Sequence, residues 1–227
     1  MGERITLSAA DGSPVAAYHA PPGEARRGGL VILHAIWGVT PHIRALSDDL
    51  AGSGYEVIAP GLLDDADAPF PTADLDPPNL DARMAMGEAS GWGAAALPNV
   101  QAAIDALAPK GQVFAMGFCF GGTTAWLASS RCTDLTAVSC FYGGDIAGYA
   151  DEQPKVPTIL HFGRTDPMIP MGDVETVQAA HPDLPVWLYD AGHAFVAPNG
   201  RHEDSARLAM LRTLQLFQRA GGSRGEA

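Results

Sequence analysis

Short apolar runs without internal polar residues recur along the sequence and alternate with segments of helical character. The clearest of these runs cover residues 30–33 and 113–116. A strand buried on both faces has this composition, because helices cover both faces of a parallel sheet. Thr40 and Pro41 mark a helix start, since threonine caps a helix and proline suits its first position. The alternation predicts an α/β fold, with a mostly parallel sheet and helices on both faces.

The remaining elements follow from the same patterns. Two short strands joined by the turn at residues 11–14 predict an opening hairpin at the edge of the sheet. Core strands are predicted at residues 30–34, 55–59, 112–116, 136–141, 158–162 and 186–189, and helices at residues 41–51, 97–107, 120–130, 173–180 and 203–219. Residues 60–82 are rich in Pro and Asp without an apolar period, which predicts a surface excursion. Because neither a repeat nor a linker is found, we expect one domain over residues 1–227.

Charge and hydropathy exclude several classes of partner. The chain has 14 Lys plus Arg against 26 Asp plus Glu, a net charge of -12 that repels nucleic acid and anionic membranes. Its apolar stretches fall short of the ~20 residues that span a bilayer. The first residues lack a basic segment followed by an apolar core, so we expect a cytoplasmic protein.

The three cysteines indicate reduced thiols. Their number is odd, and Cys119, Cys132 and Cys140 show neither a disulfide framework nor metal-ligand spacing. Histidine spacing also lacks a metal-binding motif, so we expect neither a metal nor another cofactor. Cys132 and Cys140 are interpreted as small buried hydrophobic residues.

Cys119 stands in a different context. Residues 117–121 read Gly-Phe-Cys-Phe-Gly, between an apolar run and a helical stretch rich in small residues. This is the pattern of a nucleophile elbow, in which a sharp strand-to-helix turn lifts the middle side chain above the sheet. The attacking species of a thiol is its thiolate, and a helix N-terminus stabilises negative charge on sulfur. The motif predicts that Cys119 is a nucleophile.

An acid and a base follow in the chain order of hydrolases with this elbow. Asp166 comes 47 residues after Cys119 in the loop after one predicted strand, and His193 comes 27 residues later in the loop before the last helix. The carboxylate of Asp166 would orient His193, which would serve as the general base. Asp190 is the alternative acid. His34 and His161, at predicted strands, are expected to pack or to form hydrogen bonds rather than to act in catalysis.

Acyl transfer also needs donors for a developing oxyanion. The elbow places the Phe120 N–H at this position, and the second donor comes from the loop after an early strand, here residues 34–38. The sequence therefore predicts a thiol hydrolase that acts on a small-molecule substrate.

These residues resemble the dienelactone hydrolase family over nearly the whole chain. The matching motifs are residues 34–38, Gly54-Tyr55 with Pro60, and residues 117–122, 141–144, 163–170 and 191–195. The resemblance implies an α/β-hydrolase fold, a triad of Cys119, His193 and Asp166, and an oxyanion hole from the N–H groups of Ile36 and Phe120. It also implies a monomer, for which a weak homodimer is the alternative, and cleavage of cyclic enol-lactones of aromatic degradation or of other esters.

The sequence departs from that family at the substrate site. Well-studied members have a glutamate where this chain has Ala35, and one of their two substrate-binding arginines is replaced by Ala197. Arg83 matches the other arginine by position. Trp37, Phe118 and Trp92 are further candidates for substrate contacts.

Two alternatives remain open. One is a thioesterase or general carboxylesterase with an apolar pocket. The other is a ligand-binding or sensing module that keeps the fold without turnover.

Overall fold

The computed structural model describes residues 1–221, and they form one eight-stranded sheet flanked by helices. The strands are β1 (Glu3–Ser8), β2 (Pro14–Ala20), β3 (Gly28–Leu33), β4 (Tyr55–Pro60), β5 (Val113–Phe118), β6 (Ala137–Phe141), β7 (Thr158–Gly163) and β8 (Val186–Tyr189). The helices are α1 (Pro41–Gly52), α2 (Leu80–Ala89), α3 (Leu97–Leu107), α4 (Phe120–Arg131), α5 (Met171–Ala180) and α6 (Glu203–Arg219).

The strand order is β1-β2-β4-β3-β5-β6-β7-β8. Strands β3 to β8 pair in parallel, whereas the opening hairpin of β1 and β2 joins β4 in antiparallel fashion at the edge. Helices cover both faces, and α3 and α4 pack on each other and on the central strands. The predicted fold class and edge hairpin are confirmed.

The apolar runs became strands because both of their faces are covered. Every residue of β3, β4, β5, β6 and β7 is buried. The predicted cap of α1 is also present: the Thr40 side chain accepts a hydrogen bond from the Ile43 N–H at 3.4 Å.

A buried carboxylate forms ion pairs at the amino edge of the sheet, opposite the carboxyl edge. Glu56, near the start of β4, contacts Arg26 at 2.8 Å, Lys110 at 2.6 Å and His19 at 3.2 Å. Burial raises the pKa of Glu56, but these three basic groups outweigh it and hold the pKa below its ordinary value. The cluster ties β2, β4 and the segments before β3 and β5 together.

The prediction for residues 60–82 was wrong at its end. A 3-10 turn (Pro77–Asn79) leads into α2, which the sequence patterns did not predict. Only Gly87 of this helix is buried, so it has no apolar stripe from which its period could be read. Within residues 1–221, none of the helices is long and apolar enough to cross a membrane.

Candidate active site

Cys119 lies at the sharp turn between β5 and α4. Its backbone has φ 54° and ψ -116°, a conformation that non-glycine residues rarely adopt and that concentrates at functional sites. A Cβ on Gly117 would collide with the Gly121 carbonyl, and one on Gly121 would collide with the Leu33 and His34 carbonyls. The turn therefore needs glycine on both sides of Cys119, as the motif predicts.

Backbone contacts bring the loops after β7 and β8 together. The Arg164 N–H donates to the Tyr189 carbonyl at 2.8 Å, and the Thr165 N–H donates to the Ala191 carbonyl at 3.2 Å. A side chain on Gly163 would collide with the Ala191 carbonyl, so the close approach depends on glycine. These contacts place Asp166, in the first loop, beside His193 in the second.

Asp166 and His193 form a hydrogen-bonded pair in which the carboxylate is buried and the imidazole is half-buried. The His193 Nδ1 lies 2.7 Å from Asp166 Oδ2, and the Asp166 side chain is 0% exposed. The other carboxylate oxygen accepts a hydrogen bond from the Met168 N–H at 2.8 Å. With both oxygens engaged, the carboxylate fixes the ring orientation and leaves Nε2 as the reactive nitrogen.

The paired His193 also interacts electrostatically with Cys119. The Nε2 atom of His193 is buried and has no partner of strict hydrogen-bond geometry among residues 1–221. Burial alone lowers the pKa of His193, but the hydrogen bond to Asp166, the nearby sulfur of Cys119 and the negative charge of Asp166 outweigh it and raise the pKa to about 10. These contacts favour the protonated form of the imidazole, and its Nε2 lies beside Cys119.

The two predicted oxyanion donors belong to segments in contact. Phe120 is the first residue of α4. The N–H group of a first helical residue has no carbonyl one turn earlier within the helix to bind. Ile36 lies in the loop after β3, which the close approach of Gly121 holds against the start of α4. In the described part of the chain, neither N–H donates to a backbone or side-chain acceptor.

Arg83 holds the loop that carries Ile36. Its Nε donates to the Ile36 carbonyl at 2.5 Å, and its two terminal nitrogens bind the two oxygens of Asp64, one of them at 3.1 Å. The Arg83 side chain is 14% exposed and does not line the cleft over Cys119. Each of the three guanidinium nitrogens of Arg83 thus binds a protein oxygen. A direct substrate contact for Arg83 stays a prediction.

Cys119 and His193 lie where two lobes of an open cleft meet. The small lobe, about 590 Å³, is lined by Ala35, Trp37, Thr40, His42, Asp74, Phe118, Tyr142 and Ala197 among others. The large lobe, about 1290 Å³, is lined by Trp37, Leu75, Leu80, Met84, Trp92, Asp145 and Met168 among others. Three predicted contact residues are thus at the cleft: Trp37 in both lobes, Phe118 in the small lobe and Trp92 in the large lobe.

Tyr142 is a site residue to which the sequence reasoning assigned no role. Its ring lies edge-on to the His193 ring with centroids 5.1 Å apart, and its buried hydroxyl has no hydrogen-bond partner of strict geometry among residues 1–221. Burial, together with negative charge at Cys119, raises the pKa of Tyr142 well above its ordinary value. The sequence signal for Tyr142 was the Phe-Tyr-Gly-Gly segment that begins at the last residue of β6, and this segment was used only as one motif of the family resemblance.

The other candidate residues occupy structural positions. His34 is bonded through Nδ1 to the Ala35 carbonyl and through Nε2 to the Leu62 N–H, and burial lowers its pKa to about 4. His161 contacts Tyr189, Ser139 and Thr213 inside the core. Asp190, the alternative acid, is 92% exposed and pairs with Arg164 instead of His193.

The sheet order and the site together define an α/β-hydrolase. A profile of the dienelactone hydrolase family matches residues 15–221, and the chain belongs to this family. It is therefore a hydrolase that acts on ester or lactone bonds. The resemblance seen in the sequence motifs is confirmed.

Known relatives extend over most of the chain. A Salmonella typhimurium protein named as a candidate carboxymethylenebutenolidase is 31% identical, covering 97% of this chain and 88% of its own. The carboxymethylenebutenolidase of Pseudomonas putida is 28% identical and covers 96% of each chain. Among solved structures, a candidate dienelactone hydrolase from Klebsiella pneumoniae is 26% identical with a TM-score of 0.74, covering 96% of this chain and 98% of that one.

Proposed function

We propose that this chain is a cysteine-dependent hydrolase that cleaves an ester or lactone through a covalent acyl-thiol enzyme. The observation that carries the proposal is the arrangement of three groups. His193 is bonded to the buried carboxylate of Asp166, and its free Nε2 lies beside the strained Cys119. A nucleophile, a base and an orienting acid placed side by side in this order are the signature of covalent catalysis.

The first half-reaction would proceed from a thiolate and imidazolium pair. The Cys119 sulfur attacks the carbonyl carbon, and the negative charge that moves onto oxygen is stabilised by the N–H groups of Ile36 and Phe120. When the tetrahedral intermediate collapses, the carbon–oxygen bond to the leaving group breaks. The His193 Nε2 proton passes to the departing alkoxide or enolate, leaving an acyl-thioester on Cys119.

The second half-reaction reverses these roles. Neutral His193 removes a proton from a water molecule, which attacks the thioester carbonyl while the same two N–H groups bind the oxyanion. Expulsion of the Cys119 thiolate releases the acid and restores the ion pair with His193. Asp166 orients the ring throughout and stabilises its charged form. In a lactone, both product groups stay on one molecule.

A general carboxylesterase or thioesterase is the second candidate. Its support is the apolar wall of the large lobe, which also contains Cys119 and is lined by Leu75, Leu80, Met84 and Trp92. The Pseudomonas putida relative is named for a carboxymethylene-substituted butenolide, an unsaturated lactone that carries an acid group, and this name favours a lactone as the bond that is cleaved. Both candidates use the same residues and differ only in the substrate.

A substrate panel on wild type and two variants tests the proposal. We expect Cys119→Ala to lower kcat for every accepted dienelactone, aryl ester or thioester by about 10⁴-fold or more, because the nucleophile is lost. Cys119→Ser keeps the shape of the side chain and serves as the matched control for folding. Hydrolysis that survives Cys119→Ala would refute the mechanism, and ligand binding without turnover by wild type would favour a sensing role.

A further inference from the structure

The charges that face the cleft are negative apart from His193. Among the described residues that line the two lobes, the carboxylates are Asp74 in the small lobe and Asp145 in the large lobe. Lysine and arginine side chains are missing from the lining of both lobes within residues 1–221. His42 also faces the small lobe, but burial lowers its pKa and favours its neutral form.

Two arginines that are close in sequence to cleft-lining residues are bound to other partners. Arg83 is engaged by Asp64 and the Ile36 carbonyl, as described above. Arg201, in the loop after His193, pairs with Glu203 at 2.7 Å and is half exposed at the surface. The charge of Arg201 reaches His42 at the edge of the small lobe, but a substrate carboxylate in the cleft would meet the two aspartates without a guanidinium in the lining itself.

The walls of the cleft provide no substitute for a cation. Ala35, Phe118 and Ala197 line the small lobe, and Leu75, Leu80, Met84 and Trp92 line the large lobe. Burial against such walls removes water from a charged group, which is costly unless the charge is paired. Asp145 already shows this effect: burial, and then the charge of Asp173, raise its pKa.

We infer that this cleft selects uncharged esters or lactones and rejects substrates that carry a carboxylate. The inference rests on the proposed function, because it assigns a substrate class to the same Cys119 site. The two lobes divide the substrate at the reacting carbonyl, with the larger apolar group in the large lobe. A lactone of this class has no free acid group before hydrolysis, and the carboxylate appears only in the product, where repulsion by Asp74 and Asp145 favours release.

A matched pair of aryl esters tests the inference. The 4-nitrophenyl ester of 6-methylheptanoic acid and the 4-nitrophenyl monoester of adipic acid have acyl chains of the same shape and the same leaving group. They differ only at the end of the acyl chain, which is an isopropyl group in the first ester and a carboxylate in the second. We expect kcat/KM to be at least about tenfold higher for the neutral ester at low salt, and the ratio to shrink at high salt, because like charges repel.

Two charge-removing variants locate the cause. Asp74→Asn keeps an oxygen to accept the His42 N–H, which Asp74 binds at 2.7 Å, and Asp145→Asn removes the charge of the large lobe. Each variant should lower the ratio of kcat/KM for the neutral ester to kcat/KM for the anionic ester, because it raises kcat/KM for the anionic ester alone. Asp190→Asn, which changes an exposed carboxylate outside the cleft, should leave the ratio unchanged.

The outcomes separate the inference from the proposed function. Equal or faster Cys119-dependent hydrolysis of the anionic ester would overturn the inference and leave the proposed function standing. A ratio that Asp74→Asn and Asp145→Asn both leave unchanged would overturn its electrostatic basis. Hydrolysis of both esters that persists in Cys119→Ala would instead overturn the proposed function.

Discussion

At the scale of single residues, the charge on His193 decides the resting state of the site. Its pKa in the folded protein is about 10, above the value of 6.5 for an ordinary histidine. A group whose pKa rises on folding binds its proton more tightly in the folded state. His193 therefore contributes stability that is fully present below pH 6.5 and is lost as the pH rises through about 10. An imidazolium at neutral pH suits the proposed mechanism, in which His193 first donates a proton to the leaving group and later acts as the base toward water.

The titration of His193 can be followed directly by NMR of imidazole nitrogens. We expect its ring to keep both protons at pH 8 in wild type, and Asp166→Asn to move its midpoint down toward 6.5, because the carboxylate that raises it is removed. His161, whose pKa burial lowers to about 3, stays neutral and serves as an internal reference. A wild-type His193 midpoint near 6.5 would contradict this account.

Residues differ in how far the sequence alone could assign them. The turn around Cys119 could be predicted because its cause is local: two glycines and a strand-to-helix boundary within five positions. The partners of Arg83 could not be predicted, because Asp64 and Ile36 are distant in sequence and contact Arg83 only in the folded chain. Tyr142 was missed for a similar reason, since its contact with His193 joins loops 51 positions apart, after β6 and after β8.

At the scale of elements, α2 connects the cleft wall to the candidate oxyanion hole. Leu80 and Met84 of this helix line the large lobe, while Arg83 on the same helix binds Asp64 and the Ile36 carbonyl. The ion pair thus fixes the position of the loop that carries Ile36, whose N–H we propose as an oxyanion donor. Arg83 is a positioning residue in this arrangement, acting through the Ile36 peptide.

Replacing Arg83 distinguishes positioning from substrate binding. We expect Arg83→Met to lower kcat for a neutral aryl ester by about tenfold or more with little change in KM, since loss of a whole oxyanion donor costs about 10² to 10³. Asp64→Asn should act in the same direction. Arg207→Met, at an exposed pair with Asp204, is the surface control. A rise in KM confined to anionic esters would show that Arg83 binds a substrate carboxylate instead.

At the scale of the whole molecule, the parallel sheet gathers the site from distant parts of the chain. Cys119 follows β5, Asp166 follows β7, His193 follows β8 and Ile36 follows β3, so all four lie at the carboxyl edge. This much could be predicted, because parallel strands present their carboxyl ends at one edge. The cleft could not be predicted, since its walls come from loops and from α2, whose exposed faces have no readable period.

The central claim is that turnover passes through an acyl-thioester on Cys119. Rapid quenching of wild type with a 4-nitrophenyl ester, followed by mass spectrometry of the peptides, tests it most directly. We predict a burst of 4-nitrophenolate of about one equivalent and the mass of the acyl group on the peptide that contains Cys119. An acyl group on another residue, or turnover without any acylated peptide or burst, would contradict it.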